Sequence, residues 1–195
     1  MFLFCAVEAT LQCVRCGPSL LHVSQLVSYD VPMKAATPAL VTLEQLGIDY
    51  VAHTFDHDTA TTDDVGYGRA AARALGVEEN RVYKTLLAQS ENGSVVAIVP
   101  VNTQLSLKAL AHVLNVKRCE MVAARDASRI TGYVVGGISP FGQKRMLPTV
   151  VDESAVLHTT LFVSGGRRGL DIEVGATDLI AALHATLGAI ATASD

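Results

Sequence analysis

Tryptophan is missing from this chain, and charge is scarce: Asp, Glu, Lys and Arg make up 17% of 195 residues, while 50% are hydrophobic. That balance reads as a compact, soluble α/β protein, and the length suits one domain with a substantial core. No apolar run approaches the ~20 residues that a membrane-spanning helix needs, so no membrane association is expected. A basic surplus is lacking too, with 15 Lys and Arg against 19 Asp and Glu. A general nucleic-acid coat needs a broad basic face, so that class is excluded, whereas a small basic pocket is not. There is no strand-linked G-x-G-x-x-G, no P-loop, no internal repeat and no low-complexity segment.

Cysteine is sparse. Cys5, Cys13 and Cys16 crowd the first sixteen residues and only Cys119 lies beyond, so the four do not form a framework spanning the domain. Cys13-Val-Arg-Cys16 is a C-x-x-C without the second pair that a zinc site requires, and without the strand-to-helix setting of a redox motif. These read as incidental thiols of a reducing cytoplasm. No metal or cofactor is expected.

Residues 1–32 differ from the rest of the chain. Met1-Phe-Leu-Phe-Cys5 is apolar but short, has no basic flank and runs into Glu8, which makes a poor signal peptide. Met33-Lys-Ala-Ala-Thr-Pro38 reads as the start of a domain. Residues 1–32 are therefore expected to be an extension outside the fold, from a start codon assigned too far upstream, and residues 33–195 the folded domain.

Within that domain, Thr37-Pro38 is a helix N-cap with proline at the first helical position, and Gly47 is the stop. Ile48 to Phe55 reads as a strand. On it His53, Phe55 and His57 share a face if the extension persists, but the two histidines then stand roughly 13 Å apart, too far for one ion. Asp56 and Asp58 belong to the turn after it. Arg69 to Leu75 is an alanine-rich helix. Val82 to Ala88 is an apolar strand carrying Lys84, which must reach solvent, a partner or a ligand. Asn92-Gly93 signals a hairpin to a returning strand, Ser94 to Val101. Ser106 caps a helix with Leu107, Leu110 and Leu114 on one face. Val116 to Met121 is a strand, and a short helix lies near Asp126 to Arg129.

Two glycine-rich stretches occupy the C-terminal third. In Thr131 to Arg145, the run Tyr133-Val-Val135 reads as a strand feeding Gly136-Gly137, where backbone N–H groups can approach a ligand. Leu147 to Val151 and Thr160 to Val163 are strands. Ser164-Gly-Gly-Arg-Arg-Gly169 reads as a basic loop, and Leu170 to Val174 as a strand with Asp171 and Glu173 on one face. Thr177 caps a closing helix with Leu179, Ile180, Leu183 and Leu187. Together these predict a mixed α+β fold: a twisted, largely antiparallel, barrel-like sheet with flanking helices.

Four segments carry a family resemblance: His53-Thr-Phe-Asp-His57-Asp58, Val82-Tyr-Lys84-Thr-Leu-Leu87, Thr131 to Lys144, and Val163 to Glu173. In this order and spacing they closely resemble the YbaK/EbsC family of aminoacyl-tRNA deacylases, which are related to the editing domain of prolyl-tRNA synthetase. The resemblance runs from about Thr37 to Ile190. It implies a trans-editing hydrolase for Cys-tRNA(Pro), and also Cys-tRNA(Cys), acting in the cytoplasm on the aminoacyl-tRNA 3′ end with prolyl-tRNA synthetase as partner. It also implies that the substrate's own thiol attacks its ester.

Carried over residue by residue, the resemblance makes Lys84 and Gly136 the catalytic positions. Phe55, Tyr67, Thr85, Gly137, Ile138, Ser164, Gly166 and Asp171 fall on substrate-binding positions. Lys144, Arg167 and Arg168 are candidates for tRNA phosphate. Phe55 stands where the family commonly has Tyr, and Tyr67 where it commonly has Phe. Asp171 has a plainer reading as the partner of an arginine across the sheet, and His53 and His57 read as structural. A deacylase for another error such as Ala-tRNA(Pro), or a non-catalytic aminoacyl-tRNA or synthetase-binding module, stand beside the main reading.

Overall fold

Thr37 starts helix α1 (Pro38–Leu46) as its N-cap, accepting from the Leu40 N–H at 3.4 Å. Gly47 ends it with φ 64°, a left-handed turn that L-residues adopt reluctantly. The computed structural model describes residues 36–56 and 66–193. The expected extension 1–32, Cys5, Cys13, Cys16, His57 and Asp58 lie outside the described residues.

The order then runs β1 (Tyr50–Thr54), α2 (Tyr67–Leu75), β2 (Val82–Ser90), β3 (Gly93–Pro100), β4 (Thr103–Leu105), α3 (Leu107–Val113), β5 (Cys119–Met121) and α4 (Ala124–Thr131). It closes with β6 (Thr149–Asp152), β7 (Thr160–Arg167), β8 (Leu170–Gly175), α5 (Ala176–Ala182), β9 (Thr186–Gly188) and β10 (Ala191–Ala193). The main sheet has the order β1-β8-β7-β2-β3-β6-β9, with β5 added to β2, while β10 and β4 form a separate pair. It is mixed: β2/β7, β3/β6 and β6/β9 are parallel, and the other pairs antiparallel.

Alternation along the strands sorts side chains between two faces. Leu161, Val163, Leu170, Ile172 and Val174 pack with α1 and α5 in the largest core cluster. The opposite face carries Val51 and His53, Phe162 and Ser164, Asp171 and Glu173, and Val82, which the strand register aligns. Helix α2 covers this second face, with Ala72 packed on Val82, Val101 and Phe162.

One irregularity decides where a ligand fits. Strand β2 pairs with β7 only at Val82 and Tyr83, and with β5 only from Ala88 to Ser90. Between them the edge of β2 has no strand beside it.

Three expectations are corrected. Tyr133 to Val135 is not a strand: α4 runs on to Thr131 and stops at Gly132, φ 85°, after which the Tyr133 ring is buried and its hydroxyl donates to the Phe141 carbonyl at 2.7 Å. The aromatic anchors a loop instead of pairing. Ser164 to Gly169 is not a free loop either, because β7 continues through it to Arg167 with a register shift between Ser164 and Arg167. Such a bulge re-aims side chains without ending the strand. Finally, Gly175 rather than Thr177 occupies the N-cap of α5, which ends at Ala182, so Leu187 falls in β9.

Candidate active site at the open edge of β2

The gap beside β2 opens into a cavity of about 440 Å³. Because no strand covers this edge, residues from both faces of β2 reach it: Lys84 from one and Thr85 from the other. Gly66, Tyr67, Gly68 and Arg69 at the start of α2 form one wall, and Val135, Gly136 and Ile138 another, with Ser164 and Asp171 contributed by β7 and β8. Apolar contacts from Leu86, Met121 and Val122 complete it.

The Lys84 ammonium, half-buried, donates to the Thr103 carbonyl at 2.6 Å. Burial lowers its pKa, and the nearby Arg69 charge lowers it further. Asp171 is 4% exposed, and no hydrogen bond or ion pair reaches its carboxylate among the described residues. Burial raises its pKa to about 7. The arginine partner expected for Asp171 serves Glu173 instead. Arg81 reaches Glu173 Oε1 at 3.1 Å, and His53 Nε2 lies 3.2 Å from Oε2. Burial disfavours the Glu173 carboxylate, but hydrogen bonds from Thr160 and His53 and the charges of His53 and Arg81 hold its pKa below the usual value. His53 also packs on Phe162, centroids 5.3 Å apart, so its place is structural. Thr85 Oγ1 is buried with no hydrogen-bond partner among the described residues.

The two glycine-rich segments meet. Arg168 donates from Nε and a terminal nitrogen to the Val135 carbonyl at 3.1 and 3.0 Å. A Cβ on Gly137 would stand 2.8 Å from the Arg167 carbonyl carbon, so this glycine makes room for the β7–β8 turn. Its N–H closes a turn onto the Val134 carbonyl. Gly136, φ 87° and half-exposed on the cavity wall, keeps its N–H out of that turn.

The cavity therefore gathers Lys84, Tyr67, Thr85, Gly136, Ile138, Ser164 and Asp171. Phe55, Arg167 and Arg168 line a separate, open cleft of about 500 Å³ with Thr54, Asp56 and Gly169. Tyr67 links the two: its ring lies 6.4 Å from that of Phe55, and its hydroxyl accepts from the Gly169 N–H at 2.6 Å. Gly166 lines neither, and a Cβ there would meet Tyr133 at 2.7 Å and Thr37 at 3.2 Å. Lys144 is outside as well, its ammonium donating to the Arg129 carbonyl at the end of α4. Arg69 escaped sequence reasoning. The available signal was a cation in the first turn of a helix, where the macrodipole disfavours it.

The cavity is small and largely apolar and, among the described residues, combines an unpaired buried carboxylate, a half-buried lysine and a backbone N–H on its wall, the setting of a candidate ligand site on a mixed α+β sheet. The model of the aminoacyl-tRNA editing domain matches residues 64–182, and the chain belongs to this family. An Enterococcus faecalis protein named "Putative Cys-tRNA(Pro)/Cys-tRNA(Cys) deacylase EbsC" is 34% identical over 157 residues, 80% of this chain and 93% of that one. The proline–tRNA ligase of Thermosipho melanesiensis is 25% identical over 113 residues, 58% of this chain and 20% of the ligase. A solved structure described as a "putative trans-editing enzyme for prolyl tRNA synthetase" superposes with a TM-score of 0.70 at 21% identity, covering 80% of this chain and 96% of that one. By class the protein is an aminoacyl-tRNA editing deacylase. No helix of the described residues is long and apolar enough to cross a membrane.

Proposed function

We propose that this deacylase clears Cys-tRNA(Pro), and also Cys-tRNA(Cys), in the cytoplasm, receiving the mischarged tRNA from prolyl-tRNA synthetase. The observation that carries the reading is the cavity that brings Lys84, Gly136 and Asp171 together, the last with no partner among the described residues. The ester's carbonyl oxygen meets the Gly136 N–H, Asp171 receives the α-ammonium, and Lys84 holds the ribose-phosphate end. Ile138 packs on the amino-acid side chain.

Among the described residues that line the cavity there is no histidine or cysteine. The nucleophile in this reading is the substrate's thiol. Its sulfur bonds to the carbonyl carbon, the ester C–O bond breaks, and the thiol proton passes to the ribose hydroxyl. Water then opens the cyclic thioester to free cysteine. The protein supplies orientation and a donor for the developing oxyanion, which are worth most in a site that excludes bulk water. The similarity to part of a proline–tRNA ligase supports the synthetase as source, and the net charge of −4 supports leaving part of tRNA selection to it.

A deacylation panel of cysteinyl-, alanyl- and seryl-tRNA(Pro) tests this. Cysteinyl-tRNA(Pro) is cleaved and the seryl ester survives. Rapid cleavage of the seryl ester would transfer the nucleophilic role to water, and preference for the alanyl ester would change the substrate. Lys84→Ala removes at least 100-fold of the activity (on the order of one lost charge-assisted contact made in the transition state) while circular dichroism is unchanged.

A further inference from the structure

Lys84 and Arg69 are anchored side by side. Lys84 donates to the carbonyl of Thr103 at 2.6 Å, and Arg69 to that of the preceding Asn102 at 3.4 Å. Both line the cavity, and the Arg69 charge contributes to the lowered pKa of Lys84. Holding two cations together is unfavourable, and among the described residues the carboxylate that pairs with Arg69 is Glu79, 3.4 Å from its Nε. Arg69 also occupies the first turn of α2, beside the positive end of the helix dipole. Helix α2 has nine residues, an N-cap without a side-chain hydrogen bond and no acidic residue in its first turn. The N–H groups of Tyr67, Gly68 and Arg69, which precede the first intrahelical bond from Ala70 to Gly66, belong to residues on the cavity wall. Gly68 makes this approach possible, because a Cβ there would meet Val101 Cγ1 at 2.4 Å. Thr85, 9% exposed and with no partner for its hydroxyl among the described residues, lines the same cavity from the opposite face of β2.

Two adjacent cations, one of them at a helix start, are unfavourable in an empty pocket and favourable around an anion. We propose that Arg69 and the N-terminus of α2 complete, with Lys84, a subsite for one phosphodiester, that of the terminal nucleotide of the RNA substrate. This rests on the proposed function for the identity of the ligand and adds a second cation and a helix end to it. Lys84 carries the point charge next to the ribose. Arg69, 34% exposed, reaches from the rim, its planar fork suited to two phosphate oxygens. A helix start that repels its own arginine is stabilised once the phosphate arrives.

The test uses the full chain and a labelled, unacylated RNA ending in CCA, so that it does not depend on which ester is cleaved. Each phosphate contact to a single strand contributes about 0.7 to the slope of log affinity against log salt. Arg69→Ala should lower that slope by about this amount and weaken binding roughly 10-fold at ~0.1 M salt, while Arg69→Lys restores the slope. AMP should outcompete adenosine in the wild type and lose that advantage in Arg69→Ala. Glu79→Gln, which removes only the rim ion pair, should bind as well as the wild type or better. An unchanged slope in Arg69→Ala, an equal loss in Glu79→Gln, or no salt-dependent RNA binding by the wild type overturns the subsite. RNA binding that depends on Arg69 in a protein that leaves Cys-tRNA(Pro) intact would sink the proposed substrate and keep the subsite.

Discussion

Asp171 and Glu173 stand two residues apart on one face of β8, yet their surroundings drive them in opposite directions. Glu173 has Arg81, His53 and Thr160 around it, and its pKa is lowered. Asp171 has burial alone, which raises its pKa to about 7 from 3.8. In the folded protein Asp171 therefore binds a proton that the unfolded chain releases near pH 4. This contribution to stability is present below the unfolded value, falls as pH rises and is fully lost above about 7. Asp171→Asn should be neutral to stability at low pH and stabilising above pH 7, by up to ~4 kcal/mol on the scale of 1.36 kcal/mol per unit. Melting temperatures at the two pH values check this, and deacylation should be lost in the same variant. Tyr67, whose pKa is raised by burial and also by the Asp171 charge, faces the same carboxylate. At Gly137 backbone lies where a Cβ would go, so Gly137→Ala should cost roughly 1–3 kcal/mol by overpacking, read as a lower midpoint in urea.

The elements that local chemistry determines were legible in sequence: α1 between its Thr-Pro cap and Gly47, the β2–β3 hairpin, α3 behind Ser106, and the shared face of Asp171 and Glu173. The hairpin shows the limit of such signals. Asn92-Gly93 marks its place, but Glu91 and Asn92 form the tip, while Gly93, φ 118°, already pairs with Ser90 in the ladder. Where tertiary packing decides, local signals mislead. Tyr133-Val-Val135 has strand composition, but burying one aromatic against Phe141 overrides it. At Gly166 a Cβ would meet Tyr133 and Thr37, a packing demand that its place in the pattern does not reveal. Arg69 was invisible because its partner Lys84 lies on a different element. Tyr67 and Phe55, the two positions where the resemblance implied a different aromatic, are ring neighbours. The hydroxyl absent from one stands on the other and holds the β7–β8 turn by the Gly169 N–H.

At the scale of the molecule, the candidate cavity is a consequence of sheet topology. The parallel pairing of β7 to β2 and the antiparallel pairing of β5 to β2 leave a short interval that neither strand fills. The Val82 carbonyl accepts from Val101, on the β3 side, and the Leu87 carbonyl accepts from Val122, on the opposite side. Alternation between these points turns the Thr85 backbone toward the interval. Thr85 thus lies in the interior of the longest strand among the described residues with the amide environment of an edge. Its N–H should exchange with deuterated solvent far faster than those of Lys84 and Leu86, which face β3, and it should become protected when a substrate analogue occupies the cavity. Equal exchange along β2 in the free protein would refute this. The strand then reports occupancy through one amide, a label-free signal of whether the enzyme is loaded.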